Sequence, residues 1–469
     1  MKLWGGRFAG GGRDPLFEEF SESFSLDQRL IFYDLRVNQI YLKHLAAAGA
    51  LKKEEARRLA GGLDAIRREV QKNPHWASRQ RSEDVHTWVE GRLQHTLGAL
   101  AGKLRTGRSR NDLVATEERL FAKDAIDALA HAAVETLGAL AGLADRHRGV
   151  VMPGYTHLQP AQPILFSHYA LAYFEMLLRD VSRLEDCRAR ADELPMGAGA
   201  LAGTTFPVDR AALAKDLGFA RVSSNSLDAT SDRDFVCELL FTCSLALVHL
   251  SRLAEDLILY SSPAFGYVEL ADEYSTGSSL MPQKKNADSL ELIRGKAASV
   301  LGRLTASLAM LKGLPMSYDR DLQEDKAALF DGVDTTRVSL EVAARVLRTL
   351  QIHPEKMEAA THVGFLTATD VADDLVRRGM AFAEAHGAVG KLIRHCLAQS
   401  RTFADLPQEE AREHIPQWDR RLARIAASPR LAVDRRNVMG GTAQRQVSRQ
   451  ILRATRAVQQ LERRLAAGS

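Results

Sequence analysis

The stretch TSDRDFVCELLFTCSLALVHLSRLAEDLILY, residues 230–260, governs how the rest of the chain is read. Thr230 or Ser231 would serve as an N-cap, and no proline follows until Pro263. Val236, Leu239, Cys243, Leu247, Leu250 and Leu257 recur at helical spacing. Phe235, Leu240, Phe241 and Ala246 add apolar side chains off that stripe. A helix apolar nearly all round belongs inside a bundle or an oligomer core. His249, Arg252, Glu255 and Asp256 interrupt its apolar part, 239–260, so it reads as a core helix and not as a membrane span.

Outward from it, the prolines mark further long helices. None occurs between Pro74 and Pro153, between Pro163 and Pro195, or between Pro207 and Pro263. An internal proline costs a helix ~3 kcal/mol or more, and these gaps are filled with Ala, Leu, Glu and Arg. Residues 164–194 form one such candidate. Residues 289–311 form another, with Leu290, Ile293, Ala297, Leu301, Leu304 and Leu308 on one stripe. No series of short alternating strands with turn signals is visible. The expectation is an all-α chain in three parts: a helical N-terminal domain 1–113, a central long-helix bundle 114–361 and a smaller helical C-terminal domain 362–469.

Composition narrows the class. Of 469 residues, 63 are Lys or Arg and 59 Asp or Glu, a net charge of +4 spread without like-charge runs. This argues against a nucleic-acid arm or a membrane-binding patch. With 45% hydrophobic and 26% charged residues the chain is globular, not disordered. Cys187, Cys237, Cys243 and Cys396 make no CxxC pair and read as reduced, buried thiols. The N-terminal MKLWGGRFAGGGRDP lacks the apolar core of a secretory signal, so a cytoplasmic protein is expected.

Chemistry gathers where the helices are interrupted. The segments are KLRTGRSRND (103–112), PGYTHLQPAQP (153–163), YSTGSSLMPQKKN (274–286) and GLPMSYDRDLQEDK (313–326). In 274–286, four hydroxyls, a glycine and two lysines precede a helix start, a setting that favours an anion and would stabilise an ionised hydroxyl; composition alone fits a solvated Ser-Gly loop equally well. His157 could act as acid or base or be a hydrogen-bonded structural histidine, and His86 in EDVHTW carries the same ambiguity. Arg105, Arg108 and Arg110 could clamp carboxylates or pair with Glu117 and Glu118. GAGALAG (197–203) has the wrong spacing for a dinucleotide loop. There is no Walker loop, HExxH or acidic metal cluster in the sequence, so a reaction without cofactor or metal is the simpler expectation.

GSSLMPQKKN (277–286) closely resembles the signature loop of the fumarase/aspartase superfamily of lyases. TGRSRND (106–112), PGYTHLQPAQP, DATSDRDF (228–235) and YDRDLQEDK (318–326) narrow the resemblance to the argininosuccinate lyase family, from WGGRF at 4–8 to GGTA at 440–443. The resemblance implies a three-domain all-α fold and a homotetramer whose long helices form a shared core, with each active site drawn from three subunits. It implies reversible cleavage of argininosuccinate to arginine and fumarate, with no nucleic-acid or membrane partner.

By the same matching, Ser278 is the base that removes the Cβ proton and His157 the other acid–base group. Glu291 orients His157, and Lys284 and Asn286 stabilise the developing carbanion. The serine and histidine roles can be exchanged on sequence grounds. Substrate contacts fall to Ser23, Ser109, Arg110, Asn111, Thr156, Tyr318, Gln323 and Lys326, with His86 and Arg233 in support. Three positions depart from the family pattern: Arg105 for the usual His, Leu113 for Gln, and Ala287 for the proline after KKN. The competing readings are a related fumarate-releasing enzyme such as adenylosuccinate lyase, or a non-catalytic crystallin-like protein. The Tyr318–Lys326 motif argues against the first, and the joint presence of Ser278, His157, Lys284 and Glu291 against the second.

Overall fold

The computed structural model describes residues 14–78 and 80–468; the WGGRF stretch at 4–8 lies outside the described residues. Helix dominates. Between residues 110 and 349 the chain forms five long helices, Arg110–Arg146, Phe166–Ala191, Asp234–Ser261, Asp288–Leu311 and Asp325–Thr349. The fold is all-α, as the proline gaps predict.

The decisive stretch 230–260 begins differently from the expectation. A short helix, Ser226–Ser231, ends first and the long one starts at Asp234. The cap comes from Asp232, whose carboxylate accepts the Asp234 N–H at 2.8 Å; neither Thr230 nor Ser231 supplies it. Val236, Leu239, Cys243, Leu247, Leu250 and Leu257 are all buried, as are Phe235, Leu240 and Ala246. Phe241 remains 49% exposed, and so in part does Val248. By length and composition this helix and Arg110–Arg146 would pass for membrane spans, yet 67% of each apolar window is buried within the protein, as in a core helix.

The stripe expected on 289–311 divides. Leu290, Ile293 and Ala297 are buried, whereas Leu301 and Leu308 are 49% and 52% exposed. The sequence spacing predicts all six on one face. The helix in fact buries Leu290, Ile293, Ala297, Val300 and Ser307, a 3–4 spacing that turns Leu301 and Leu308 outward.

The chain gathers into two compact units, each built from three separate stretches. The first comprises residues up to 129, 182–245 and 298–336. Helices Ile31–Ala47, Lys53–Lys72 and Val85–Leu97 pack there around Leu35, Tyr41, Leu42, Leu59, Leu63 and Leu93. The second comprises 130–181, 246–297 and 337–469. Its C-terminal core sets Leu375, Leu392, Trp418 and Leu422 together, on helices with clear apolar stripes such as Ala368–Arg377 and Arg420–Ala427.

One element was not foreseen. PGYTHLQPAQP is not an irregular insert but most of an antiparallel hairpin, Val151–Thr156 with Gln159–Leu165. Pro153 stands opposite Pro163. A two-stranded ribbon consists entirely of edge strands, where prolines are tolerated. The hairpin base is tied down by the Leu165 N–H, which donates to Thr442 Oγ1 at 2.9 Å.

Candidate active site

In the first unit, loop 313–326, the start of helix Arg110–Arg146 and the residues around Ser23 enclose a cavity of about 430 Å³. Ser23, His86, Arg110, Asn111, Tyr318, Gln323 and Lys326 all line it. Seven residues read from distant parts of the sequence thus share one wall. Ser109 lies beside it at the helix start, where its N–H donates to Asp112 at 2.9 Å. Arg233 is not on the wall. It is buried, paired with Glu118 at 2.9 Å and with Asp325, and Lys326 shares those two carboxylates at 3.3 and 3.4 Å. Burial alone would lower the Lys326 pKa, but Asp325, Glu118 and Asp27 outweigh it and hold the ammonium charged.

Glu83, Asp84, Asp27 and Arg320 also line the cavity and were not singled out from sequence. The signal was present: Glu83 and Asp84 belong to the EDVHTW motif, Arg320 to YDRDLQEDK, and Asp27 follows Ser23 by one helical turn. Isolated acids ordinarily read as surface residues, so the motif alone does not mark them as lining a site.

His86 is buried with Nδ1 2.7 Å from Asp34 and 3.7 Å from Glu117. These three have donor atoms within 4.8 Å of one another, a spacing able to hold a metal ion. Positions 34, 86 and 117 are too scattered for sequence to show such a group. Burial, with Asp34 adding to it, pushes the Glu117 carboxyl well above the usual range, which favours its uncharged form beside the His86–Asp34 pair. Burial opposes charge on His86, but the hydrogen bond to Asp34 and the nearby Asp84 and Asp27 charges raise its pKa overall. A group with a raised folded pKa contributes stability that is complete below its unfolded value, 6.5, and lost as pH climbs through the folded value. Thermal unfolding midpoints should therefore fall as pH rises from neutrality, and His86→Gln should flatten that fall. Parallel declines in both proteins would refute the assignment.

The orphan motif GAGALAG acquires a structural role. Gly197 and Gly199 donate their N–H groups to Asp112 at 3.0 and 2.9 Å, and Asn111 Nδ2 donates to Ala200 O at 3.2 Å. The loop thereby braces the helix start that presents Ser109, Arg110 and Asn111. A side chain at Gly199, where φ is +61°, would meet the Gly203 carbonyl at 2.7 Å. Of the departures from the family pattern, Leu113 is fully buried in the core and Arg105 pairs with Glu90 at 3.3 Å.

The second unit carries the other set. Loop 274–286 is a tight excursion closed by two short strands, Thr276–Gly277 and Lys285–Asn286, and tied to the following helix by Thr276 hydrogen-bonded to Asp288. Ser278 Oγ accepts the N–H groups of Leu280 and Met281 at 3.2 and 3.0 Å. Donors aimed at that oxygen favour its ionised form. Lys285 is spent on Glu269 and Asp272, at 3.0 and 2.8 Å. Among the described residues Lys284 makes no ion pair and stands exposed. Glu291 lies in the first turn of Asp288–Leu311.

His157 sits at the hairpin tip, with Thr156 paired to Gln159 on either side of the turn. His157 and Leu158 have φ of +55° and +58°. Two consecutive left-handed residues make the turn that Asn-Gly normally occupies; bulkier residues there are strained by ~1–3 kcal/mol each. Such strain concentrates at functional positions. His157 and Glu291 are both exposed, and no hydrogen bond joins them among the described residues.

Comparison with known proteins gives the family. Residues 6–302 match the lyase family model and residues 365–434 the model for the argininosuccinate lyase C-terminal region. An argininosuccinate lyase of Pelotomaculum thermopropionicum is 49% identical over 442 residues, 94% of this chain and 95% of the relative. This chain belongs to the argininosuccinate lyase family. One from Moorella thermoacetica is 47% identical over 458 residues, 97% of each chain. As a member of that family the protein is a carbon–nitrogen lyase enzyme. Among solved structures, EDDS lyase in complex with formate superposes with a TM-score of 0.86 at 28% identity, covering 98% of this chain and 93% of that one. Class II fumarase from Schistosoma mansoni, at 16% identity, TM-score 0.72 and coverage of 85% and 90%, shares the fold.

Proposed function

We propose that the protein catalyses the reversible elimination of fumarate from argininosuccinate to give arginine. The observation that carries this reading is Ser278, whose oxygen accepts two backbone N–H groups on a loop that also bears Lys284, a lysine with no ion pair among the described residues. Ser278 as an alkoxide takes the Cβ proton. The charge that develops moves onto the adjacent carboxylate, where Lys284 and Asn286 stabilise it. The C–N bond then breaks, and the departing guanidine nitrogen receives a proton from His157, oriented by Glu291. Ser23, Ser109, Arg110, Asn111, Thr156, Tyr318, Gln323 and Lys326 hold the substrate. His86 lies on that wall and Arg233 supports it through the carboxylates it shares with Lys326.

We further propose a cytoplasmic homotetramer with the three-part organisation 1–113, 114–361 and 362–469, and active sites completed by residues of different copies. Phe241, Leu301 and Leu308 favour self-association, because large apolar side chains left exposed on long helices gain from burial. The direct test is fumarate release, followed by ultraviolet absorbance, from argininosuccinate with adenylosuccinate in parallel. Turnover of argininosuccinate alone is expected; turnover of adenylosuccinate instead would overturn the substrate assignment.

A further inference from the structure

The first unit holds a second cavity, of about 490 Å³, that shares no lining residue with the one described above. Helices Ile31–Ala47, Lys53–Lys72 and Arg110–Arg146 form its walls, and its size is that of a small-molecule site. Three arginines line it, Arg29, Arg36 and Arg67, against one carboxylate, Asp124.

The charges are unevenly matched. Arg29 is bidentate to Asp334, at 2.7 and 3.1 Å, with its guanidinium over the Phe330 ring. Asp124 accepts the Tyr33 hydroxyl at 2.9 Å. Arg36 and Arg67 make no ion pair among the described residues. Arg36 Nη2 donates to the Leu217 carbonyl at 2.9 Å, and Arg67 Nη2 donates to Gln39 Oε1 at 3.1 Å. Each bond fixes a guanidinium and leaves its charge unanswered. Arg67 Nε is in addition buried without an acceptor, and a buried N–H on a charged group is costly to leave unpaired.

Aromatic rings stand beside these charges. Phe32, 44% exposed, and Phe121 belong to the same walls. Phe32 and Arg36 are one helical turn apart, and Gln39, which holds Arg67, follows on that face. The cavity therefore presents two fixed guanidinium groups next to an apolar ring.

We propose that this cavity binds a small organic phosphate, its phosphate on Arg36 and Arg67 and its planar ring against Phe32. Two cations without counterions match a dianion, whereas a single carboxylate would neutralise one of them. Guanidinium forks also suit the several oxygens of a phosphate. Inorganic phosphate would satisfy the arginines and leave the ring uncovered. The site lies outside the proposed chemistry, and the inference does not depend on which substrate the enzyme cleaves.

The test is titration calorimetry on the full chain with phenyl phosphate, inorganic phosphate and benzoate, a measurement that needs no turnover. Phenyl phosphate should bind roughly 2–10-fold more tightly than inorganic phosphate, the range for an added ring contact. It should bind roughly 10–100-fold more tightly than benzoate, the range for a further hydrogen bond between charged groups. The first cavity also holds cations, so variants assign the signal. Arg36→Gln and Arg67→Gln should each weaken phenyl phosphate by about 10-fold or more. Phe32→Ala, at an exposed position, should fold and lose the margin over inorganic phosphate. No saturable binding of phenyl phosphate below about 10 mM would overturn the proposal. Affinity unchanged in both arginine variants would overturn it as well. Equal affinity for phenyl and inorganic phosphate in the unsubstituted protein would mean an adventitious ion only, and would also overturn it.

Discussion

Ser278→Ala is expected to leave the fold intact and to reduce turnover by roughly 10²–10⁴-fold, the usual contribution of a positioned acid or base. The structural side of this expectation follows from the loop. Among the described residues the Ser278 side chain accepts from Leu280 and Met281 and makes no other hydrogen bond, and losing such bonds in a solvent-exposed loop costs about 0.5–1.5 kcal/mol at most. The strands that close the loop, and the Thr276–Asp288 tie, do not involve it. The chemical side rests on the oxygen alone, since alanine keeps the backbone donors and removes the group they polarise. Rate of fumarate release and unfolding midpoint, measured on the same preparation, separate the two. More than about a tenth of the original turnover, with the midpoint unchanged, would take Ser278 out of the base role and leave His157 to fill it.

Arg233→Met is the second large effect, and it falls on stability. Arg233 is 1% exposed and pairs with Glu118 and Asp325, both fully buried. Burial pushes the Glu118 carboxyl up, whereas Asp325, beside Lys326 and Arg233, is held below the usual range. Removing the guanidinium leaves a buried anion with Lys326 alone, a change of about 3–5 kcal/mol. Activity should drop with it, because the same two carboxylates position Lys326 on the cavity wall. Arg233→Lys keeps the charge but not the forked geometry and should fall between. A urea midpoint for Arg233→Met within experimental error of the parent would show that the network is not what holds this part of the first unit together.

How far the sequence could be read depends on what kind of force shaped each part. The long helices were legible because proline excludes itself from them and because burial imposes a 3–4 spacing that Val236 to Leu250 keep throughout. The hairpin at 151–165 was not legible, since its prolines sit where prolines ordinarily argue against a strand, and only the pairing of two edges makes room for them. The cavity wall could be assembled from motifs spread between Ser23 and Lys326. Asp27, Glu83 and Asp84 lie in or beside those motifs, yet only the fold turns them toward the cavity, because an acid gains meaning from what surrounds it and not from its spacing. The cap at Asp232 was missed by one or two residues for a similar reason: Thr230, Ser231 and Asp232 are all competent caps, and tertiary packing selects among them.

The left-handed turn at His157 and Leu158 bears on how this enzyme could be made hardier. Turn idealisation is among the simplest routes to a more heat-resistant protein, and here it would replace both residues with Asn-Gly, relaxing the backbone by a few kcal/mol. That same change deletes the imidazole proposed to exchange the proton. Durability and turnover are thus set against each other at a single pair of residues. A thermostability screen run without an activity filter would be drawn first to this hairpin, and would return proteins that survive heating and no longer work.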